Sequence, residues 1–345
     1  MNSVAWFKDV GIADRPTVGG KGGSLGELTQ AGIAVPPGFV VTTAGFELFL
    51  AALEARAPVR AKVASLDPND LGAATRLSEE LRRRVIEEPM PDEVEQAIRT
   101  AHAELSPQDE PVAVRSSATT EDAEDASFAG LQDTFLWVLG PDQMVARVRE
   151  CWGSLYSVES MTYRLKHAIP EEGVAMAVVV QRMVDAMCAG VMFTRSPLTG
   201  DKSVITIEGA WGLGSAVVSG EVTPDRWVLG KITGEISVRD ISDKHARQVP
   251  AAGGGIHEIA NEDALRKQPC LTDDQLLALR EVGRKIERHY GKPQDIEWAL
   301  DEHGNVLLLQ SRPETVWSAK DAAAPVKPPE DNPLKHVMSI FGGKK

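Results

Sequence analysis

Four segments of this chain hold the residue types best suited to chemistry. The first is VGGKGGSLGEL, Val18 to Leu28. Its small residues let backbone N–H groups approach an anion at a helix start, and Lys21 adds a point charge. It is not a Walker A loop, because Arg15 stands where the upstream glycine belongs and Gly22 follows the lysine. It does not fit G-x-G-x-x-G either. A simple flexible turn explains the glycines equally well. The second segment is Val114-Arg-Ser-Ser-Ala-Thr119, an arginine at a strand end followed by hydroxyls. A guanidinium is always charged and its fork matches two phosphate oxygens. The competing reading pairs Arg115 on the surface with Glu121, Asp122, Glu124 or Asp125. Downstream, Ala129 to Thr134, which includes Gly130, reads as a second loop covering phosphates.

The third segment is a hairpin near the end, Gln294–Leu300 and Asn305–Ser311, turning through Asp301 to Gly304. Pairing Leu300 with Asn305 sets Asp295 opposite Gln310 and Glu297 opposite Leu308. Alternation then puts Asp295, Glu297, Gln310 and Arg312 on one face, with Leu308 as its one apolar member. Ile296, Trp298, Leu300, Leu307 and Leu309 form the other, apolar face. Hard oxygen donors of this kind suit Mg²⁺ held against phosphates, where one or two carboxylates suffice. A plain solvated strand face is the bland alternative. The fourth segment, Glu208 to Asp225, is glycine-dense after a strand; close packing or a structural corner accounts for it.

The elements that must position these residues read as α+β. A short helix carries Leu25 and Leu28 and stops at Gly32, and Pro36-Pro37-Gly38 forces an extended turn. Phe46, Phe49, Leu50 and Leu53 lie at helical spacing behind Thr42 and Thr43. A charged helical layer covers about 71–105, a short strand runs over Pro111–Arg115, and a long polar loop spans 116–133. Thr134–Leu139 reads as a strand and 142–167 as one long helix. Strand-like runs cover 175–184, 189–194, 203–207 and 226–238. Thr272 and Gly291 bracket a helix over 273–290. These runs divide the chain into a lobe over 1–186, a second over 187–317, and a tail over 318–345, whose patch Val337–Phe341 could dock elsewhere.

Composition narrows the function classes. The 345 residues include 37 Lys+Arg against 50 Asp+Glu, a formal charge of −13, with 43% hydrophobic residues. That is ordinary for a folded chain and argues against nucleic acid or an anionic membrane as the main partner. Cys151, Cys188 and Cys270 are scattered, so neither a disulfide framework nor a zinc site is expected. No signal peptide opens the chain, and the apolar run 174–193 is broken by Gln181, Arg182 and Asp185, so a cytoplasmic location is expected.

Taken in order, the segments carry a resemblance. VGGKGGSLGEL, VPPGFVVTTAGF, VAVRSSATTEDAEDASFAGLQDTFL, VVVQRMV, GVMFTRSP, EGAWGLGSAVVSGEVTPD and QDIEWALD with LLLQSRP run collinearly from Val18 to Pro313. They resemble the N-terminal nucleotide-binding domain of the phosphoenolpyruvate synthase (pyruvate, water dikinase) family. That domain is shared with rifampicin phosphotransferase and related to pyruvate, phosphate dikinase. The resemblance implies an ATP-grasp-like fold of two lobes enclosing ATP. It implies that Lys21 and Arg115 hold phosphates under a loop bearing Gly130 and Thr134, and that Gln181, Met183 and Val184 form the adenine hinge. It further implies Mg²⁺ on Glu297 and Gln310 with Asp295 nearby, and Arg312 clamping phosphates. The implied reaction moves a phosphoryl or pyrophosphoryl group to a histidine and releases AMP.

Such relatives continue into a swivelling domain with that histidine and into a substrate domain. None of the seven histidines here lies in the Gly/Thr-flanked swivelling motif. As a stand-alone chain it is similar to the ATP-binding beta subunit of phenylphosphate synthase, which implies a histidine-bearing partner, a substrate subunit and a small-molecule acceptor such as phenol. The alternatives are the ATP-binding domain of a pyruvate, water dikinase or rifampicin phosphotransferase, and a nucleotide-sensing regulator. Alanine at Lys21 or Arg115 is expected to leave folding unchanged while weakening phosphate-dependent activity at least about tenfold.

Overall fold

Among the described residues every strand pairing is antiparallel, and two large sheets result. The computed structural model describes residues 2–119, 122–123, 126–127 and 133–323. In chain order the strands are β1 (Val4–Trp6), β2 (Gly38–Val41), β3 (Val112–Ala118), β4 (Asp122–Ala123), β5 (Ala126–Ser127), β6 (Thr134–Val138), β7 (Met176–Arg182), β8 (Ala186–Phe193), β9 (Val204–Trp211), β10 (Asp225–Gly230), β11 (Ile236–Asp240), β12 (Ala246–Pro250), β13 (Ile256–Ala260), β14 (Gln294–Asp301) and β15 (Val306–Pro313). The first sheet has the order β1-β2-β7-β3-β6 and the second β11-β10-β9-β8-β14-β15. The chain passes from one sheet to the other between β7 and β8, through residues 183–185. This is the mixed α+β architecture expected of the sequence.

Alternation along β3 and β7 gives the first sheet two distinct faces. Val112, Val114, Val178 and Val180 point into the largest core, which Phe46, Phe49, Leu81, Ile98 and Trp152 complete. Arg115, Val179 and Gln181 face the other way, toward helix α1 (Arg15–Gln30). The second sheet likewise buries Cys188, Ile207, Trp227, Ile296 and Trp298 against the helix Asp273–Tyr290. Helix α1 serves both sheets. Its Val18 and Leu25 enter the core behind Val40 and Val179, whereas Leu28 enters the core of the second sheet.

The glycine run of α1 is packed, not flexible. The helix includes it and bends at Gly19, whose φ of 71° lies in the left-handed region. A Cβ on Gly26 would stand 2.2 Å from the Val10 carbonyl oxygen. Backbone therefore touches backbone here, a closeness only glycine permits. The helix begins earlier than expected because the glycines gain more from this packing than they lose in helix propensity.

Other expectations need correction. The charged layer is two amphipathic helices, Leu71–Glu87 and Asp92–Leu105, separated by Pro89 and Pro91, and Leu81, Val85, Val94 and Ile98 reach the main core. The long helix over 142–167 is broken into Gly140–Gly153 and Val158–Lys166. At the break the Ser157 side chain accepts from the Ser160 N–H at 3.1 Å and caps the second piece. Ser318–Ala323, expected as tail, continues the helix Val316–Ala323. Val337–Phe341 lies outside the described residues. The bounds expected of the closing helix are met: Thr272 and Gln275 form a capping box, and Gly291 closes it at φ 68°. Cys151, Cys188 and Cys270 are free thiols, and no helix among the described residues is long and apolar enough to cross a membrane.

In the second sheet Gly190 pairs with Gly209 and with Trp298. A Cβ on Gly190 would meet the Glu208 carbonyl oxygen at 1.9 Å and Gly209 Cα at 2.7 Å. Both are backbone atoms, so no side chain can swing aside. Gly190→Ala is expected to destabilise the fold by about 1–3 kcal/mol or more, read as a lower urea midpoint. An unchanged midpoint means that the strands part more easily than this spacing implies.

Candidate functional site

The facing surfaces of the two sheets meet at one guanidinium. Arg115, on β3, donates from Nη1 to the Leu309 carbonyl at 2.9 Å. Its Nη2 donates to Glu297 Oε2 at 3.0 Å and to Gln310 Oε1 at 2.6 Å. Lys21, on α1, donates to the carbonyl of Ser116, the residue after Arg115, at 2.9 Å. Ser117 Oγ accepts from the Gly22 N–H and donates to the Val18 carbonyl, which ties the glycine segment to β3. Lys21, Arg115, Glu297 and Gln310 thus converge although they lie up to 289 positions apart.

The hairpin owes this geometry to a register the pattern did not reveal. Leu300 pairs with Val306 and Trp298 with Leu308, but Glu297 pairs with Gln310 and Asp295 with Arg312. One residue, Leu309, is therefore extra on β15, a β-bulge. The one-residue shift at the turn, which sets Leu300 opposite Val306 and not Asn305, corrects the expected faces together with this bulge. Leu308 is fully buried in the core with Trp298. Leu307 and Leu309 pack instead beside Val184, Ala189 and Ala299 on the opposite face. It also sets Gln310 beside Glu297, whereas strict alternation placed Leu308 there. Arg115 takes the Leu309 carbonyl as its third acceptor, which no motif in the sequence signals.

The remaining candidates are distributed around this centre. Thr134 is exposed and directly opposite Arg115 in the ladder. Gln181 shares the Arg115 face of the first sheet, buried, with its amide donating to the Pro36 carbonyl at 3.3 Å. Met183 and Val184 lie in the crossing between sheets, and Val184 packs on an apolar floor of Ala189 and Ala299. Arg312 is half-exposed, its Nε 3.5 Å from Asp295 Oδ2. Gly130 lies outside the described residues. Glu208, in the fourth segment, stands on the rung Arg226–Glu208–Val191–Glu297–Gln310 and so shares the face of Glu297. Burial raises its carboxyl above the usual range, with Arg226 pulling the other way.

Two buried polar atoms here have no hydrogen-bond partner among the described residues: Arg115 Nε, a donor, and Asp295 Oδ1, an acceptor. Buried polar groups are normally satisfied, so each of these atoms has capacity for a further partner. Glu297 and Gln310 place oxygens around one nitrogen, within reach of a single ion. The donors are hard oxygens, which suit a divalent ion such as Mg²⁺. No cluster of three His, Cys, Asp or Glu able to hold a metal by itself occurs among the described residues. Lys21 and Arg115 are both buried and bonded to other segments. Removing Arg115 leaves Glu297 and Gln310 without this donor, so alanine there is expected to cost stability as well as phosphate-dependent activity.

Comparison with known proteins adds an independent line. Residues 15–332 match the family described as pyruvate phosphate dikinase, AMP/ATP-binding domain. A probable phosphoenolpyruvate synthase of Methanothermobacter thermautotrophicus is 43% identical over 316 residues, covering 90% of this chain and 46% of that protein. A rifampicin phosphotransferase of a Streptomyces species is 41% identical over 341 residues, covering 98% of this chain and 38% of its own. The chain therefore spans less than half the length of these relatives. Among solved structures, D-alanyl-alanine synthetase A of Vibrio cholerae covers 65% of this chain and 46% of its own, at 10% identity and a TM-score of 0.28. A score that low carries no weight.

Asp295 gives this site a signature in stability. Burial raises its carboxyl above the ordinary aspartate value, Arg312 lowers it in part, and Glu314 raises it further. The folded state therefore binds this proton more tightly than the unfolded chain does. That preference contributes fully below the ordinary aspartate range and is lost as pH rises through the raised value. Asp295→Asn is expected to match the parent near about pH 3 and to be the more stable protein at neutrality. Thermal midpoints across that window test it; a variant less stable at neutral pH contradicts an orphaned, desolvated carboxylate.

Proposed function

Because this chain belongs to the pyruvate phosphate dikinase AMP/ATP-binding domain family, we propose that it holds MgATP between its two sheets and passes a phosphoryl or pyrophosphoryl group to a histidine. It does so as the nucleotide-binding part of a phosphoenolpyruvate synthase or rifampicin phosphotransferase type of enzyme. The observation that carries this reading is the convergence of Lys21, Arg115, Glu297 and Gln310, with Arg115 Nε left without a partner among the described residues. The names of the relatives favour it over the phenol-phosphorylating subunit of a split enzyme. Retention of the whole charged set disfavours a nucleotide sensor.

Within this reading the adenine lies on the Ala189, Ala299 and Val184 floor beside the crossing at Gln181–Val184. Lys21, Arg115 and Arg312 orient and neutralise the phosphates, with Thr134 next to Arg115. Glu297 and Gln310 would hold Mg²⁺, with Asp295 nearby, and that site would supply positive charge against the transferring group. Phosphoryl transfer asks little covalent chemistry of a protein, so positioning and charge supply most of the effect. No base on this chain is required when the acceptor imidazole arrives neutral. The histidine and the final acceptor belong to other parts of the assembly, on this polypeptide or on a partner.

Isothermal titration with ATP and Mg²⁺ tests the nucleotide site. Glu297→Gln is expected to weaken MgATP binding at least about tenfold, the scale of one charged contact. Incubation with ATP and a relative's histidine-bearing part should release AMP. ADP as the sole nucleotide product points to an ordinary kinase, and unaltered binding by the variant removes Glu297 from the site.

A further inference from the structure

The two oxygens assigned above to the metal are already in use. Glu297 Oε2 and Gln310 Oε1 both accept from the same nitrogen, Arg115 Nη2. A guanidinium cannot lose its proton at accessible pH, so this nitrogen always brings positive charge to the oxygen pair. A divalent ion seeking the same lone pairs meets a like charge at hydrogen-bond distance. Nor is Arg115 easily swung aside, because it is buried and its Nη1 is anchored on the Leu309 carbonyl.

We propose that Arg115 is the resident cation of the Glu297–Gln310 oxygen pair, and that it makes divalent-metal binding there conditional on a polyphosphate that draws Nη2 away. The side chain is built for that exchange. Nη1 keeps its bond to Leu309 as a pivot, while Nη2 trades the carboxylate and amide oxygens for phosphate oxygens. Nε, without a partner among the described residues, gains one. Phosphate thus takes over the guanidinium as the metal takes over the protein oxygens. The inference rests on the proposed function, since it concerns the same ligands. It adds an order of events: metal enters with the nucleotide and not before it.

The test uses Mn²⁺ alone, followed by loss of the free-ion electron paramagnetic resonance signal, with no nucleotide present. The parent is expected to bind Mn²⁺ weakly, and Arg115→Met at least about tenfold more tightly, as one charged competitor is removed. Adding Glu297→Gln to that variant is expected to abolish the gain. Circular dichroism checks folding. Should Arg115→Met fail to fold, Arg115→Lys keeps the charge but cannot hold both the carbonyl and the oxygen pair. It is expected to gain at least about threefold. Equal Mn²⁺ affinity in the parent and a folded variant overturns the inference. So does tight nucleotide-free binding by the parent that Glu297→Gln removes. Titration of the parent with MgATP separates the two readings: no nucleotide binding sinks the proposed function, whereas nucleotide binding with equal Mn²⁺ affinities sinks only the resident cation.

Discussion

One charged side chain sets the constraint on which this structure turns. Arg115 grows from the first sheet and spends its two terminal nitrogens on the second, through Leu309, Glu297 and Gln310. Exposed ion pairs contribute little, but a buried guanidinium with three fixed acceptors cannot be left half-satisfied without cost. The distance between the sheets is therefore tied to the reach of one arginine, and the groups that would meet a nucleotide are the groups that tie them.

The sequence revealed the chemistry of this site better than its geometry. The residue types suited to phosphate and metal stood out locally, as did the helix bracketed by Thr272 and Gly291, whose cap bonds form within a few residues. The hairpin register did not, because the bulge at Leu309 answers to partners far away. Trp298 and Leu308 belong to a core shared with the helix Asp273–Tyr290, and the Leu309 carbonyl is taken by Arg115. Alternation alone cannot contain either fact. The bend at Gly19 is hidden for the same reason. The left-handed backbone of Gly19 sits against Ser117, nearly a hundred positions later.

Glycine explains much of what looked like loop chemistry. In the first segment it lets α1 lie against Val10 and Val40, and in the fourth it lets β8 and β9 close over Trp298. A single glycine-rich stretch is thus poor evidence for phosphate. What raises the first stretch above that level is its lysine, bonded to the strand that carries Arg115. Phosphate recognition and tight packing ask for the same small residue, and the packing demand is the one met along this helix.

Helix α1 touches both sheets along its length. Lys21 is bonded to Ser116 in the first sheet, Ser24 donates to the Ser311 carbonyl in the second at 2.7 Å, and Glu27 meets His289 at 2.7 Å. It works like a shaft seated in two bearings. Sheets mounted this way can roll about the common axis, but they cannot be pulled straight apart without stripping one set of these bonds. Because Lys21 rides on the shaft itself, its charge stays near the axis of such a roll, where displacement is least.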